Sequence, residues 1–185
     1  MPDADDVEIR SMRPGDIRAT VAMFATVAAE GRWVGTEGGF DQDRRAAMYA
    51  ESLANPSSHR FLIAVAGGEI IASAHAQLAP YGVAEIGMAI AADWRSRGLG
   101  GRLLDALLIE ACDLGAHKVV LQVWPHNRRA IRLYASRGFV IEGRLVRHYR
   151  RRRTNELWDS VIMSLVLDHT SPGSPYGDGV EPGGE

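Results

Sequence analysis

Between Glu85 and Gly101 the chain reads E-I-G-M-A-I-A-A-D-W-R-S-R-G-L-G-G. A short apolar run gives way to a basic, glycine-studded turn, and the R-L-L-D-A-L-L-I-E-A-C-D-L that follows has helical spacing. Strand, Gly-rich loop and helix in this order gather backbone N–H groups and the positive end of a helix dipole at one point, which is how a chain builds an anion or phosphate site. Gly98 and Gly100 permit close backbone approach, and Arg95 and Arg97 add charge. Two familiar phosphate loops do not fit. A Walker loop ends in Gly-Lys-Ser/Thr, whereas Gly101 is followed by Arg102 and Leu103. The dinucleotide pattern G-x-G-x-x-G begins at Gly98 and Gly100 and then meets Leu103 where its third glycine belongs.

Metal chemistry is not expected. His59, His75, His117, His126, His148 and His169 show no H-E-x-x-H or comparable spacing. Cys112 is the only cysteine, so neither an intrachain disulfide nor a thiolate cluster is available. The run from Arg144 to Asn155, R-L-V-R-H-Y-R-R-R-R-T-N, is the strongest local charge feature. It reads first as a solvated strand end and turn. The sharper alternative is a cationic wall for an acidic acceptor or a docking surface for RNA, and Arg144 to Arg153 is the only candidate patch for nucleic acid. A net charge of −2 gives no support to bulk binding of nucleic acid or membrane. The acidic N-terminus lacks an apolar signal region and no long uncharged run is present, so a cytoplasmic protein is expected.

The elements that must position these residues follow from periodicity and punctuation. Residues 7–12 read as a strand, and Ile17, Val21, Phe24 and Ala28 mark an amphipathic helix over residues 17–29. Residues 30–40, with four glycines and no period, read as a mobile loop. Asp41 is placed to cap a second helix running to about Ala54. Residues 61–66 and 70–78 form a hairpin around Gly67 and Gly68, and the strand 85–91 follows. A helix from Gly101 buries Leu104, Leu107, Leu108, Ala111 and Leu114. Residues 119–124 are nearly continuously apolar, which predicts burial on both faces. Asn127 caps a helix over residues 128–137, and two long strands around a turn at residues 152–155 close the fold. The order is β, α, α, three strands, α, β, α, β, β, a mixed α/β (α+β) sheet with helices on its faces. Residues 1–167 are expected to be one domain, and residues 168–185, rich in Pro and Gly, a disordered tail.

Arg95-x-x-Gly98-x-Gly100 resembles the acyl-CoA pyrophosphate loop of the GNAT superfamily of N-acetyltransferases. The neighbourhood agrees: Met88 and Ile90 precede it, an amphipathic helix follows it, and V-W-P-H-N-R-R-A-I-R-L-Y-A-S-R-G-F is similar to the family's second cofactor motif at Asn127, Ala130, Leu133, Tyr134, Gly138 and Phe139. The resemblance covers roughly residues 9–167 and looks closest to the branch of phosphinothricin and ribosomal-protein acetyltransferases. It implies the GNAT fold, a mostly antiparallel central sheet of about seven strands.

The resemblance also implies a reaction: acetyl transfer from acetyl-CoA to an amine, by direct attack in a ternary complex and without metal. Met88, Ala89 and Ile90 are then the pantetheine partners, on a strand splayed from its neighbour, with one backbone N–H polarising the thioester carbonyl. Arg95, Ser96, Arg97, Gly98, Leu99, Gly100 and Gly101 cradle the pyrophosphate, with Asn127 and Ala130 beside them. Tyr134 becomes the general acid that protonates the departing thiolate, and Glu85 the first candidate for the base, with Glu30, Glu37 and His75 as rivals. The acceptor amine is not identified, although residues 30–40, Tyr81 and the Arg-rich hairpin are expected to border its pocket. A longer acyl group or another nucleophile, and a non-catalytic acyl-CoA-binding or ribosome-associated module, are the alternatives. This fold often pairs through terminal strands or helices, which leaves room for a homodimer.

Overall fold

Ala72, Ala74 and Ala76, on alternate positions of one strand, are at most 2% exposed. Their small side chains let the leucine-rich helix that follows the Gly-rich turn lie close against the sheet, where Leu103, Leu104 and Leu107 are fully buried. In the computed structural model, which describes residues 6–167, the strands are β1 (Glu8–Ser11), β2 (His59–Ala66), β3 (Glu69–Ala79), β4 (Val83–Ile90), β5 (Lys118–Val123), β6 (Val140–Arg150) and β7 (Leu157–Val166). The helices are α1 (Ile17–Ala29), α2 (Gln42–Leu53), α3 (Leu99–Asp113) and α4 (Arg128–Ala135). The seven strands make one sheet in the order β1-β2-β3-β4-β5-β7-β6. Every pairing is antiparallel except β4 with β5. The expected α/β class and GNAT-type sheet are what the chain adopts.

Two cores flank the sheet. On one face α3 packs on Leu62, Ala64, Ala74, Ile86, Val119 and Leu121, with Tyr134 and Phe139 in the same cluster. On the other face α1 and α2 close over Ile63, Phe61, Val65 and Ala89. The predicted span of α1 is the observed one, and Asp41 caps α2 by accepting from the Arg44 N–H at 2.9 Å.

Two expectations are corrected. Helix α3 starts at Leu99, two residues before the sequence reading put it, because Gly98 in the left-handed region (φ +78°) is its N-cap and the glycines after it belong to the first turn. Strand β5 is not buried on both faces. Val119, Leu121 and Val123 are buried against the α3 core, whereas Val120 is half-buried and Gln122 exposed, because that second face fronts a cavity. The tail expected from residue 168 lies outside the described residues.

Candidate active site

Strands β4 and β5 are paired only at Val83–Glu85 against Lys118–Val120. Beyond that point the ladder stops. The Ala91 N–H bonds to the Ile71 carbonyl in β3 at 2.9 Å, and because backbone groups alternate in direction along a strand, those of Met88 and Ile90 face away from β3, into the gap. A cavity of about 850 Å³ opens there, lined by Met88, Ala89, Ile90, Val123, Asn127 and Tyr134 among others. An unpaired strand edge inside the protein is a template for an extended ligand that carries amides.

At one end of the cavity sits the N-terminus of α3. Ser96 (φ +72°) and Gly98 turn the backbone sharply. Among the described residues the N–H groups of Gly98, Leu99 and Gly100 have no backbone acceptor, while those of Gly101 and Arg102 bond to the Gly98 carbonyl at 3.0 and 3.3 Å. This is the donor set an anion needs. A Cβ on Gly100 would stand 3.2 Å from Leu133 Cδ2 and 3.5 Å from Ile90 Cδ1, filling the cleft between β4 and α4.

Helix α4 supplies the opposite wall. Asn127 Oδ1 accepts from the Ala130 N–H at 3.2 Å, which fixes the side chain and leaves its NH₂ to donate elsewhere. Tyr134, seven residues on, lies on the same helix face, packed 5.7 Å from Phe139 and only 8% exposed. Burial pushes its phenol up to about 12. It belongs to the core cluster and also lines the cavity, so its hydroxyl can be reached from the open space.

The other half of the cavity spreads over the α1 and α2 face of the sheet. His75 stands opposite Gly87, and a Cβ on Gly87 would come within 2.6 Å of His75 Cε1, so the imidazole occupies space that only glycine leaves open. His75 is exposed because it fronts the cavity, yet the protein around it disfavours the charged form and takes its pKa down to about 4. Gln122 Oε1 accepts from Tyr149 at 2.9 Å and Ser160 at 3.1 Å. Residues 30–40, expected to be mobile, are tied down at several points. Glu30 accepts from both terminal nitrogens of Arg95 and from Trp33 Nε1. Glu37 accepts from the N–H groups of Arg152 and Arg153, which hold its carboxyl below the ordinary range. Arg151, 4% exposed, donates to the carbonyls of Gly31 and Gly35 and stacks 4.6 Å from Trp158.

Most residues singled out in the sequence meet at this cavity: Met88, Ala89, Ile90, Arg95, Ser96, Gly98, Gly100, Gly101, Asn127, Ala130 and Tyr134 all line it. Three do not. Leu99 turns into the core at 2% exposure, so it can offer only its backbone N–H. Arg97 lies over Trp94 at 5.2 Å. Glu85 is exposed on the His75 face of β4, paired with Gln77, and borders a separate shallow depression with Val120 and Gln122. Arg45, Tyr49, Gln122 and Trp124 were not predicted, whereas Arg151 belongs to the arginine-rich hairpin expected to border the acceptor pocket.

A family model described as the acetyltransferase (GNAT) family matches residues 23–139, from α1 through α4. The chain belongs to this family. An L-amino acid N-acetyltransferase of Escherichia coli K12 is 31% identical over 102 residues, covering 52% of this chain and 62% of the relative. A mycothiol acetyltransferase of Corynebacterium aurimucosum is 33% identical over 143 residues, covering 66% and 46%. The chain thus spans about half of the length of these curated GNAT relatives, between 46% and 62%. A GNAT phosphinothricin acetyltransferase from Sinorhizobium meliloti, solved with acetyl-CoA, superposes with a TM-score of 0.79 at 18% identity over 96% of each chain, which shows a shared fold. Among the described residues no group of three potential metal ligands occurs, and no helix is long and apolar enough to cross a membrane.

Proposed function

We propose that this GNAT protein transfers an acetyl group from acetyl-CoA to an amine by direct attack in a ternary complex. The observation that carries the reading is the unpaired edge of β4 at Met88 and Ile90, which runs toward the donor set at the N-terminus of α3. Pantetheine amides fit the edge, and the pyrophosphate fits the N–H groups of Gly98, Leu99 and Gly100, with Ser96, Gly101, Asn127 and Ala130 closing the cradle. In the reaction the amine nitrogen bonds to the acetyl carbon, the C–S bond breaks, the thiolate takes a proton and the nitrogen gives one up.

The Met88 N–H is assigned to the thioester oxygen, where a fixed dipole favours the charge that develops in the transition state. Tyr134, kept neutral by burial, presents its hydroxyl to the leaving sulfur. His75, neutral above about pH 4, accepts a hydrogen bond from the amine and orients its lone pair. Glu85, on the same sheet face but outside the cavity, is assigned the base's role through solvent. Arg95 is a strut and not a phosphate ligand, since Glu30 and the Ile90 carbonyl occupy its nitrogens.

The finer partners are part of the same proposal. The Arg144–Arg153 hairpin is a poor nucleic-acid surface, because Arg144 pairs with Asp159 and Arg151 is buried. A homodimer would use the outer strand β6, where Val140, Ile141 and Val146 are exposed. Incubation with acetyl-CoA and a panel of amines, peptides and ribosomal proteins, following free thiol, tests the transfer. Amine-dependent release is expected; tight acetyl-CoA binding with no release on any acceptor would leave a binding module instead.

A further inference from the structure

The acceptor half of the cavity is walled by aromatic rings, those of Phe24, Trp33, Tyr49, Phe61, Trp124 and Tyr149. A wall of this kind ordinarily attracts an ammonium. Here guanidinium groups already lie over most of the rings. Arg45 sits 5.1 Å from the Phe24 ring and 6.0 Å from Tyr49, Arg32 and Arg95 sit 4.8 and 5.7 Å from Trp33, and Arg151 sits 5.7 Å from Trp124. Arg95 is neutralised by Glu30. Arg45 is half-buried and donates to Thr36 Oγ1 at 2.9 Å, and among the described residues no carboxylate pairs with it. No aspartate or glutamate is among the described residues that line the cavity. A cationic acceptor would therefore meet like charge without a counter-charge, which is how a site rejects a wrong partner.

The same lining limits the proton chemistry. An alkylamine arrives protonated and attacks only after a base has taken that proton. Burial raises the phenols of Tyr49 and Tyr134 and takes His75 down to about 4, so at neutral pH none of the three draws a proton from an alkylammonium. Glu85 stands outside the wall. An amine bonded directly to an aromatic ring has no such need. It shares its lone pair with the ring and is uncharged in neutral water, and its nitrogen becomes acidic only once it has attacked. A weakly basic imidazole opposite Gly87 then suffices to take the proton. Phe61, 5.2 Å from Tyr49 and 6.1 Å from His75, gives such a ring a flat apolar neighbour beside that imidazole.

We infer that the acceptor is an aromatic amine, a ring-bound NH₂ that enters the cavity uncharged, with its ring beside Phe61 and its nitrogen beside His75. In the step the nitrogen bonds to the acetyl carbon and the C–S bond breaks. The proton lost by nitrogen goes to His75 and on to solvent, and the thiolate takes one from Tyr134, giving an aryl acetamide and free CoA. The inference rests on the transfer reading above, and equilibrium binding separates the two. Titration calorimetry of the protein saturated with CoA uses aniline, para-toluidine and naphthylamine, each beside benzylamine, para-methylbenzylamine or naphthylmethylamine, which keep the ring and are cationic at neutral pH. At least one aromatic amine is expected to bind tenfold or more tightly than its cationic homologue. Arg45→Gln should bring the two within about threefold, and Arg45→Lys, which keeps the charge, should keep the preference. Homologues binding as well as the aromatic amines, no aromatic amine binding at all, or an unchanged preference in Arg45→Gln would overturn it. If Arg45→Gln does not fold, the wild-type comparison decides. A preference for aromatic amines without thiol release from acetyl-CoA would remove the transfer reading and leave a pocket for uncharged aromatic amines standing; release with a preference for the cationic homologues would do the reverse.

Discussion

Glu30 and Arg95 are joined by two hydrogen bonds, of 2.5 and 2.7 Å, across 65 residues of sequence. The end of α1 is thereby fastened to the turn before α3, and Arg95 Nε adds a bond of 2.8 Å to the Ile90 carbonyl at the end of β4. Arg95→Gln is expected to raise the KM for acetyl-CoA about fivefold with little change in kcat, a loss on the order of 1 kcal/mol for a partly exposed pair. Arg95 is the largest cause holding the Glu30 carboxyl below its ordinary value. The stability this supplies is present above the unfolded pKa of about 4.3 and fades as pH falls through the lower folded value. Urea unfolding at pH 7 and pH 3.5 should show a larger deficit of the variant at the higher pH.

Gly100→Ala tests the cradle. Alanine is favoured in a helix by about 1 kcal/mol, so the variant should fold. Its Cβ would press on Leu133 at 3.2 Å and on Ile90 at 3.5 Å, in the cleft the donor must thread. Acetyl-CoA affinity should drop tenfold or more by calorimetry, and unchanged affinity would place the donor elsewhere.

Tyr134→Phe removes only the hydroxyl of a ring that lines the cavity. Thermal stability should stay within about 0.5 kcal/mol. If the phenol serves the leaving sulfur, kcat should fall about a hundredfold while acetyl-CoA binding is retained. Unchanged turnover with a good acceptor would sink the assignment.

Arg151→Ala should cost stability as well as acceptor binding. The side chain is 4% exposed, bonds two carbonyls of the α1–α2 loop and stacks on Trp158. Its loss is expected to cost about 2–3 kcal/mol in urea unfolding and to raise the acceptor KM more than the acetyl-CoA KM. A loop that merely touches the hairpin would leave both KM values alone.

The two candidates for handling the acceptor proton differ in their pH signatures. His75 has a folded pKa of about 4 against about 6.5 when unfolded. Here the unfolded chain binds more protons, so stability should decline as pH falls from about 6.5 to 4, and His75→Gln should flatten that decline. Glu85→Gln should instead abolish the acidic limb of the kcat/KM profile; a limb that survives in Glu85→Gln would exclude Glu85 as the base.

Much of this architecture is legible in residue order because periodicity and punctuation agree. Helix α1 is bounded as its apolar spacing demands, and Asn127 and Asp41 cap the helices they precede. The start of α3 is not legible, since Gly98, Gly100 and Gly101 look like a turn and only the burial of Leu99 and Gly101 draws them into the helix. The acceptor half is hidden for a different reason. Arg45 and Tyr49 belong to a helix with no buried residue, whose pattern is that of any surface helix. Arg151 is one of four consecutive arginines, and only the fold of the β6–β7 turn sends it inward while its neighbours stay exposed. Glu85 attracts attention by its charge, but sheet pairing sets it beside Gln77, outside the cavity wall.

The short ladder between β4 and β5 divides the sheet into two panels, β1 to β4 and β5 with β7 and β6, stitched at Val83–Glu85 like a partly closed zipper. A molecule lying along Met88 and Ile90 extends the stitching. A ligand seated there, as proposed, would tie the two panels together on arrival and release them on departure, so that opening of the sheet would accompany each catalytic cycle.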